Sequence, residues 1–190
     1  MKKEYSITFK QQFFVASAGL IKYCGLALIY IYFFGFRLQP IYIYMFLFFF
    51  IFDILPALIL HLQYLHENLG SSLIINKADE KILYQKRHFV NRQSFDDIVS
   101  FELISSFGGG RFNAGWYAFG EYRYCRISFK DNSKMIITCL MINDINNTLE
   151  SLFRISPKKR LKVFPFISHI GVKSNNTTKN NEFVSRVNSN

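Results

Sequence analysis

Hydrophobic positions along this chain follow two unlike regimes, and the change comes near Leu62. Before it lie two nearly unbroken apolar runs, residues 13–36 and 41–62, separated by Arg37, Leu38, Gln39 and Pro40. Either run can cross a hydrocarbon core of roughly 30 Å, which takes about 20 helical residues. So short a polar break leaves room only for a tight reversal, and the pattern predicts an antiparallel two-helix transmembrane hairpin. After Leu62 the apolar residues come in short runs. Residues 73–75 and 81–85 read as a β-hairpin about the turn at 76–80. Residues 98–104 form the next strand. In 122–130, Cys125, Ile127 and Phe129 face one way while Arg126, Ser128 and Lys130 face the other, the period of a half-buried strand. Asp131 and Asn132 turn the chain back into 134–140. Then the period changes: Ile145, Leu149, Leu152 and Phe153 share a helical face, with Asn143 or Asp144 as cap and Pro157 as stop. The fold expected is an α+β membrane protein, in which the hairpin is followed by an antiparallel sheet closed by one C-terminal helix.

Charge orients this arrangement. The formal net charge is +10. Lys2, Lys3 and Lys10 precede the first run, most other cations follow the second, and the break between them holds only Arg37. The positive-inside rule then puts both termini in the cytoplasm, as in a multi-pass protein of the cell (inner) membrane. Tyr30, Tyr32, Tyr42 and Tyr44 flank the break, where an aromatic belt would lie at the far interface. Ala16-Ser17-Ala18 resembles a cleavage site, but only Phe13, Phe14 and Val15 precede it as a hydrophobic core, so the segment is kept as a helix. No recognition motif accompanies the basic excess, which is assigned to anionic lipid headgroups and not to nucleic acid.

Two charges lie within the apolar runs. Lys22 and Asp53 sit about 21 and 18 Å from the outer ends of their helices, nearly level. They are expected to pair across the hairpin, because an intramembrane charge is costly alone. The alternative is a snorkelling Lys22 beside a protonated Asp53. Pro56 marks a kink. Three cysteines, Cys24, Cys125 and Cys139, without a spacing framework favour free thiols in a reducing compartment, with a Cys125–Cys139 bridge as the alternative. No Cys-x-x-Cys occurs and the histidines are scattered, so neither a metal nor a cofactor is expected.

Two further stretches are candidate contact sites. Residues 107–120 are rich in glycine and lack the Gly-Lys-Ser/Thr ending of a phosphate loop. Their Trp116, Tyr117 and Phe119 are costly to expose. They are expected to cover the open end of the sheet; the competing reading has them dip into the membrane interface or grip a partner, with Arg111 meeting an acidic group. Arg154, Lys158, Lys159, Arg160 and Lys162 form the densest basic cluster, expected to contact anionic lipid at about 1 kcal/mol per residue. The competing reading is a solvated helix end whose cations complement the dipole. Residues 173–190 are polar and expected to be disordered. Asp96, Asp97 and Glu102 have no histidine or cysteine placed by sequence to work with them, and Ser105 and Ser106 lack a nucleophile elbow, so no enzyme is expected.

The order of a hairpin, the strand opening Phe95-Asp96-Asp97-Ile98, the hairpin Ile127-Ser128-Phe129-Lys130-Asp131 and a closing helix resembles bacterial pleckstrin-homology-like (PH-like) domains. Such domains often follow a pair of membrane helices. The resemblance covers residues 68–155 and implies a bent antiparallel sheet, or barrel, plugged by the helix. It also implies a scaffold for lipids or protein partners, without catalysis. Relatives that grip phosphoinositides carry a Lys/Arg cluster across the first two strands. Lys77, Lys81, Lys86 and Arg87 do not reproduce that pattern, so that specificity is not carried over. The expected organisation is an N-terminal segment 1–12, spans 13–36 and 41–62, a PH-like domain 68–156, a basic and aromatic membrane-proximal segment 157–172 and a tail 173–190. The expected function is a membrane-anchored, non-catalytic module for a protein partner or anionic lipid. Its rivals are an accessory subunit whose Lys22 and Asp53 touch a larger complex, and a small transport-related homo-oligomer.

Overall fold

The computed structural model describes residues 2–35, 40–87, 89–107, 117–153 and 156–168, without the side chains of 18–20. The first strand, β1 (Lys2–Ser6), precedes both long helices, yet it pairs antiparallel with β2 (Ser71–Asn76), from Lys2 opposite Asn76 to Ser6 opposite Ser72. The helices are therefore an insertion between two neighbouring strands of one sheet. The N-terminal segment 1–12 contains this edge strand, which a domain counted from 68 leaves out. Five mostly exposed residues carry little periodicity, and their partner lies beyond two helices in sequence.

Helix α1 (Phe9–Phe34) starts with a capping box, in which the Thr8 side chain accepts from the Gln11 amide and the Gln11 side chain accepts from the Thr8 amide. Gly35 ends it with φ 64°, the left-handed region that glycine enters at least cost. The return helix is continuous from Pro40 to Asn68 and has three parts: α2 (Pro40–Phe49), a π-helical turn (Phe50–Ile54) and α3 (Leu55–Asn68). Pro56 has no N–H to give, and the backbone just before it is rewound so that the Leu55 N–H reaches the Phe50 carbonyl five residues back. The disturbance expected at Pro56 thus takes the form of a π turn. Tyr30 packs on Tyr42 at 4.7 Å between rings, and Tyr23 meets Asp53, so the contacts run antiparallel. By length and composition Pro40–Asn68 can cross a membrane; Phe9–Ser17 and Ile21–Phe34 pass the same test together as a pair bent by 41°.

Two four-stranded sheets follow. One has the order β1-β2-β3-β4, with β3 at Lys81–Lys86 and β4 at Phe89–Ser94. The other has the order β7-β6-β5-β8, from β5 (Ile98–Ser106), β6 (Arg123–Phe129), β7 (Lys134–Thr138) and β8 (Lys158–Lys162). Its last pair, β5 and β8, is parallel, a departure from the all-antiparallel expectation. The closing helix α4 (Ile145–Glu150) is only six residues long, shorter than its apolar face suggested. Even so, Ile145, Leu149 and Phe153 are buried on the core.

Alternation along the strands makes two cores. Leu73, Ile75 and Ile82 of the first sheet face Phe101, Cys125, Ile127 and Ile137 of the second, with α4 closing the cluster. Residues of opposite parity, Ile104, Tyr124 and Ile136, point from the far side of the second sheet onto Leu60 and Tyr64 of α3. Burying a side chain such as Leu60 completely is worth about 1.5–3 kcal/mol. Cys125 lies in the first core and Cys139 in the second; both are free thiols, and the sheet stands between their environments.

Candidate functional site

The lower half of the return helix is bolted to the domain through side-chain amides. Asn68 is fully buried. Its Nδ2 donates to the Ile136 carbonyl at 3.0 Å, and its Oδ1 accepts from the Thr138 amide at 2.9 Å. One amide thus serves strand β7 as a neighbouring strand would. Gln63 does the same for the C-terminal segment, donating to the Ile167 carbonyl and accepting from its amide, both at 3.0 Å. The Tyr64 hydroxyl donates to the Pro165 carbonyl at 2.8 Å, and Arg126 to that of Ser168 at 2.9 Å. None of these residues stood out as a site in the sequence. The available signal was the change from apolar to mixed composition after Leu60, where His61, Gln63, His66, Glu67 and Asn68 close the helix.

Beside this joint, where α3 ends, His66, Leu69, Lys86, Arg87 and Phe89 line a cavity of about 360 Å³. The β3–β4 tip reaches it through Arg87, whose φ of 53° is unusual for a side chain of its size. The Arg87 amide donates to the Gly70 carbonyl at 3.3 Å, leaving the guanidinium exposed. Lys86 shares its charge with Glu67 at 3.1 Å. Of the cavity's lining, Leu69 and Phe89 are exposed, as is the next residue, Val90. The exposed Arg87 beside these exposed apolar side chains suits an amphiphilic ligand. A second cavity of about 280 Å³ opens at the other hairpin turn, between Lys77, Asp96, Phe95 and Leu152.

Asp53, within the π turn, is 6% exposed. Its carboxylate accepts the hydroxyl of Tyr23 and, at 2.6 Å, the amide of Ala118. Among the described residues no Lys22–Asp53 ion pair is formed; the adjacent Tyr23 takes that place. Neighbouring helical residues point about 100° apart, so only one of the two can face Asp53. Of the loop candidates, Arg111 and Trp116 lie outside the described residues. Phe119 is buried in the second core, stacked on Tyr117 at 5.0 Å and edge-on to Phe164 at 4.8 Å, whereas Tyr117 remains 54% exposed.

The basic cluster is a strand, not a helix end. Arg160 pairs with Glu102 at 2.9 Å and Lys159 with Glu150 at 3.0 Å, while Lys158 is exposed and Lys162 half-buried. Arg154 lies outside the described residues. Glu102 also faces Arg126 at 3.8 Å. Burial raises the Tyr122 hydroxyl above its ordinary value, with Cys139 adding to the shift, and it stays protonated against His61 Nδ1 at 3.1 Å. Burial likewise pushes the Cys139 thiol up to about 11. Among the described residues no group of three or more His, Cys, Asp or Glu could hold a metal ion.

A family model described as a PH domain matches residues 4–148, more than half of the chain, and the chain belongs to that family. The match begins within β1, runs across both long helices and ends inside α4. Domains of this family are generally non-catalytic modules that engage proteins or lipids. No curated protein and no solved structure matched the chain.

Proposed function

We propose that this protein is a membrane-anchored, non-catalytic PH module of a bacterial cell membrane. Its hairpin spans the bilayer with both termini in the cytoplasm, and its domain holds anionic headgroups at the cytoplasmic face while its sheets remain open to a protein partner. The observation that carries this reading is the continuity between the exposed apolar surface of the return helix and the cationic, aromatic cavity at that helix's end. Ile41, Phe46, Phe48, Phe52, Leu58 and Leu62 are all exposed, a surface that water would penalise and lipid would not. At about 1.5 Å per residue, Pro40 to His66 rises roughly 39 Å. That length takes a helix through a core of about 30 Å and into the near headgroups. The charge asymmetry, with Lys2, Lys3, Lys10 and the domain on one side and Arg37 alone on the other, supports the orientation.

Phosphate would meet Arg87, Lys86 and His66, while Leu69 and Phe89 meet the upper acyl chain. Each cation near an anionic surface is worth about 1 kcal/mol. Because Arg87 holds its exposed charge beside the exposed Leu69 and Phe89, this cavity is given the lipid role first expected of the 154–162 cluster. The test is lipid analysis of the full chain purified in mild detergent from membranes containing phosphatidylglycerol. The parent is expected to retain anionic lipid, and Lys86→Glu with Arg87→Glu to lose it while keeping the same circular dichroism. Equal retention by the two would overturn the assignment.

A further inference from the structure

We propose that the turn at 117–119, together with Phe164, lies among the acyl chains of the near leaflet, so that the domain is partly sunk in the bilayer instead of hanging below it. This rests on the hairpin spanning the membrane, and it concerns a surface other than the headgroup cavity. The reasoning is one of level. Pro40 to Asp53 rises roughly 20 Å. With Pro40 at the far boundary of a core of about 30 Å, Asp53 lies some 10 Å inside the near boundary. The Ala118 amide is hydrogen-bonded to that carboxylate at 2.6 Å, so the turn shares its depth. Phe164 packs on Phe119 and belongs to the same layer. Val163 and the 54%-exposed Tyr117 continue the apolar surface outward.

Irregular backbone survives at such depth only where its polar groups are satisfied within the protein. Here Ala118 donates to Asp53, Gly120 to the Tyr117 carbonyl at 3.1 Å and Tyr122 to the Phe119 carbonyl at 3.1 Å. Asp53 thereby gains a physical role: it is the acceptor that a loop amide needs where no water can serve. Keeping the turn outside the core would require lowering the hairpin by the same 10 Å. Pro40, and with it the far end of the return helix that Arg37 precedes by three residues in sequence, would then be drawn into hydrocarbon, where an arginine is costly. Immersing a turn whose Ala118, Gly120 and Tyr122 amides are already bonded avoids that cost.

Tryptophan quenching in vesicles of phosphatidylcholine and phosphatidylglycerol, brominated along one acyl chain, reads the depth directly. Trp116 is the only tryptophan, so a Trp116→Phe chain is a silent background for two probes, Tyr117→Trp and Phe46→Trp. Immersion is expected to let the brominated chains quench both probes, with iodide in the water reaching neither. If Phe46→Trp is quenched by bromine while Tyr117→Trp responds only to iodide, the turn is outside and the inference is overturned with the anchor intact. If neither probe responds to bromine, the spanning hairpin fails, and the inference fails with it.

Discussion

Replacing Asn68 by alanine tests how the helix is joined to the domain. The change removes the donor to Ile136 and the acceptor for Thr138 at a position with no solvent exposure. Each buried backbone group left without a partner costs about 1–3 kcal/mol. Two such groups, less a helix-propensity gain of at most about 0.7 kcal/mol, leave a loss of roughly 3 kcal/mol. That is a large share of an ordinary domain's total of about 5–15 kcal/mol. Urea unfolding of the purified chain in detergent reads the total, and hydrogen exchange at the Thr138 amide reads the site. Thr138 is expected to lose its protection first. Gln63→Ala removes the same number of bonds at a half-buried position, where water can substitute, and is expected to cost about 1 kcal/mol. The reasoning is refuted if Asn68→Ala stays within about 0.5 kcal/mol of the parent, the level of a surface substitution.

Asp53→Leu strands the Ala118 amide and is expected to speed exchange and proteolysis around 117–120, whereas Lys22→Leu leaves both unchanged; the reverse ranking would restore the charge pair as the working contact. Asp131 is held below its ordinary value by hydrogen bonds from Ser133 and then Gln93, so its contribution is complete above the unfolded value of about 3.9 and fades as pH falls through the lower folded value. An NMR titration should place its midpoint below that of a model aspartate, and Asp131→Asn should flatten this part of the acid-unfolding curve. In a Cys24→Ser background, Cys125 and Cys139, raised by burial, should react with maleimide only after unfolding; alkylation of either in the folded chain at pH 8 would contradict the two closed cores. Arg37→Cys in a Cys24→Ser background should react with an impermeant maleimide added outside intact cells, and reaction from the cytoplasmic side alone would invert the topology.

The candidate sites divide by how local their chemistry is. The strand face of 122–130 follows from alternation alone, because each side chain's direction is set by its own backbone. So does the apolar face Ile145, Leu149 and Phe153, although α4 itself is short. The Lys22–Asp53 expectation brings the right two stretches opposite each other but names the wrong neighbour, since axial level follows from counting residues whereas azimuth depends on how the helices roll against each other. The cluster at 158–162 illustrates the same limit. Its charges are plain in the sequence, but Glu102 and Glu150, which take up Arg160 and Lys159, are brought there by a parallel strand pairing. The cavity at His66, Leu69, Lys86, Arg87 and Phe89 combines a helix end with a hairpin tip, and no spacing along the chain announces it.

Composition and period therefore suffice for two apolar helices, a run of short strands, a basic excess on one side of the hairpin and the likeness to PH domains, since each depends on interactions within a few residues. Folding alone decides that β1 reaches across both helices to pair with β2, that Asn68 and Gln63 act as strand mimics, and that the turn at 117–119 is tied to Asp53. Those contacts join residues tens of positions apart. Their strength comes from the exclusion of water at the place where they meet, a property of the packed chain and not of any segment of it.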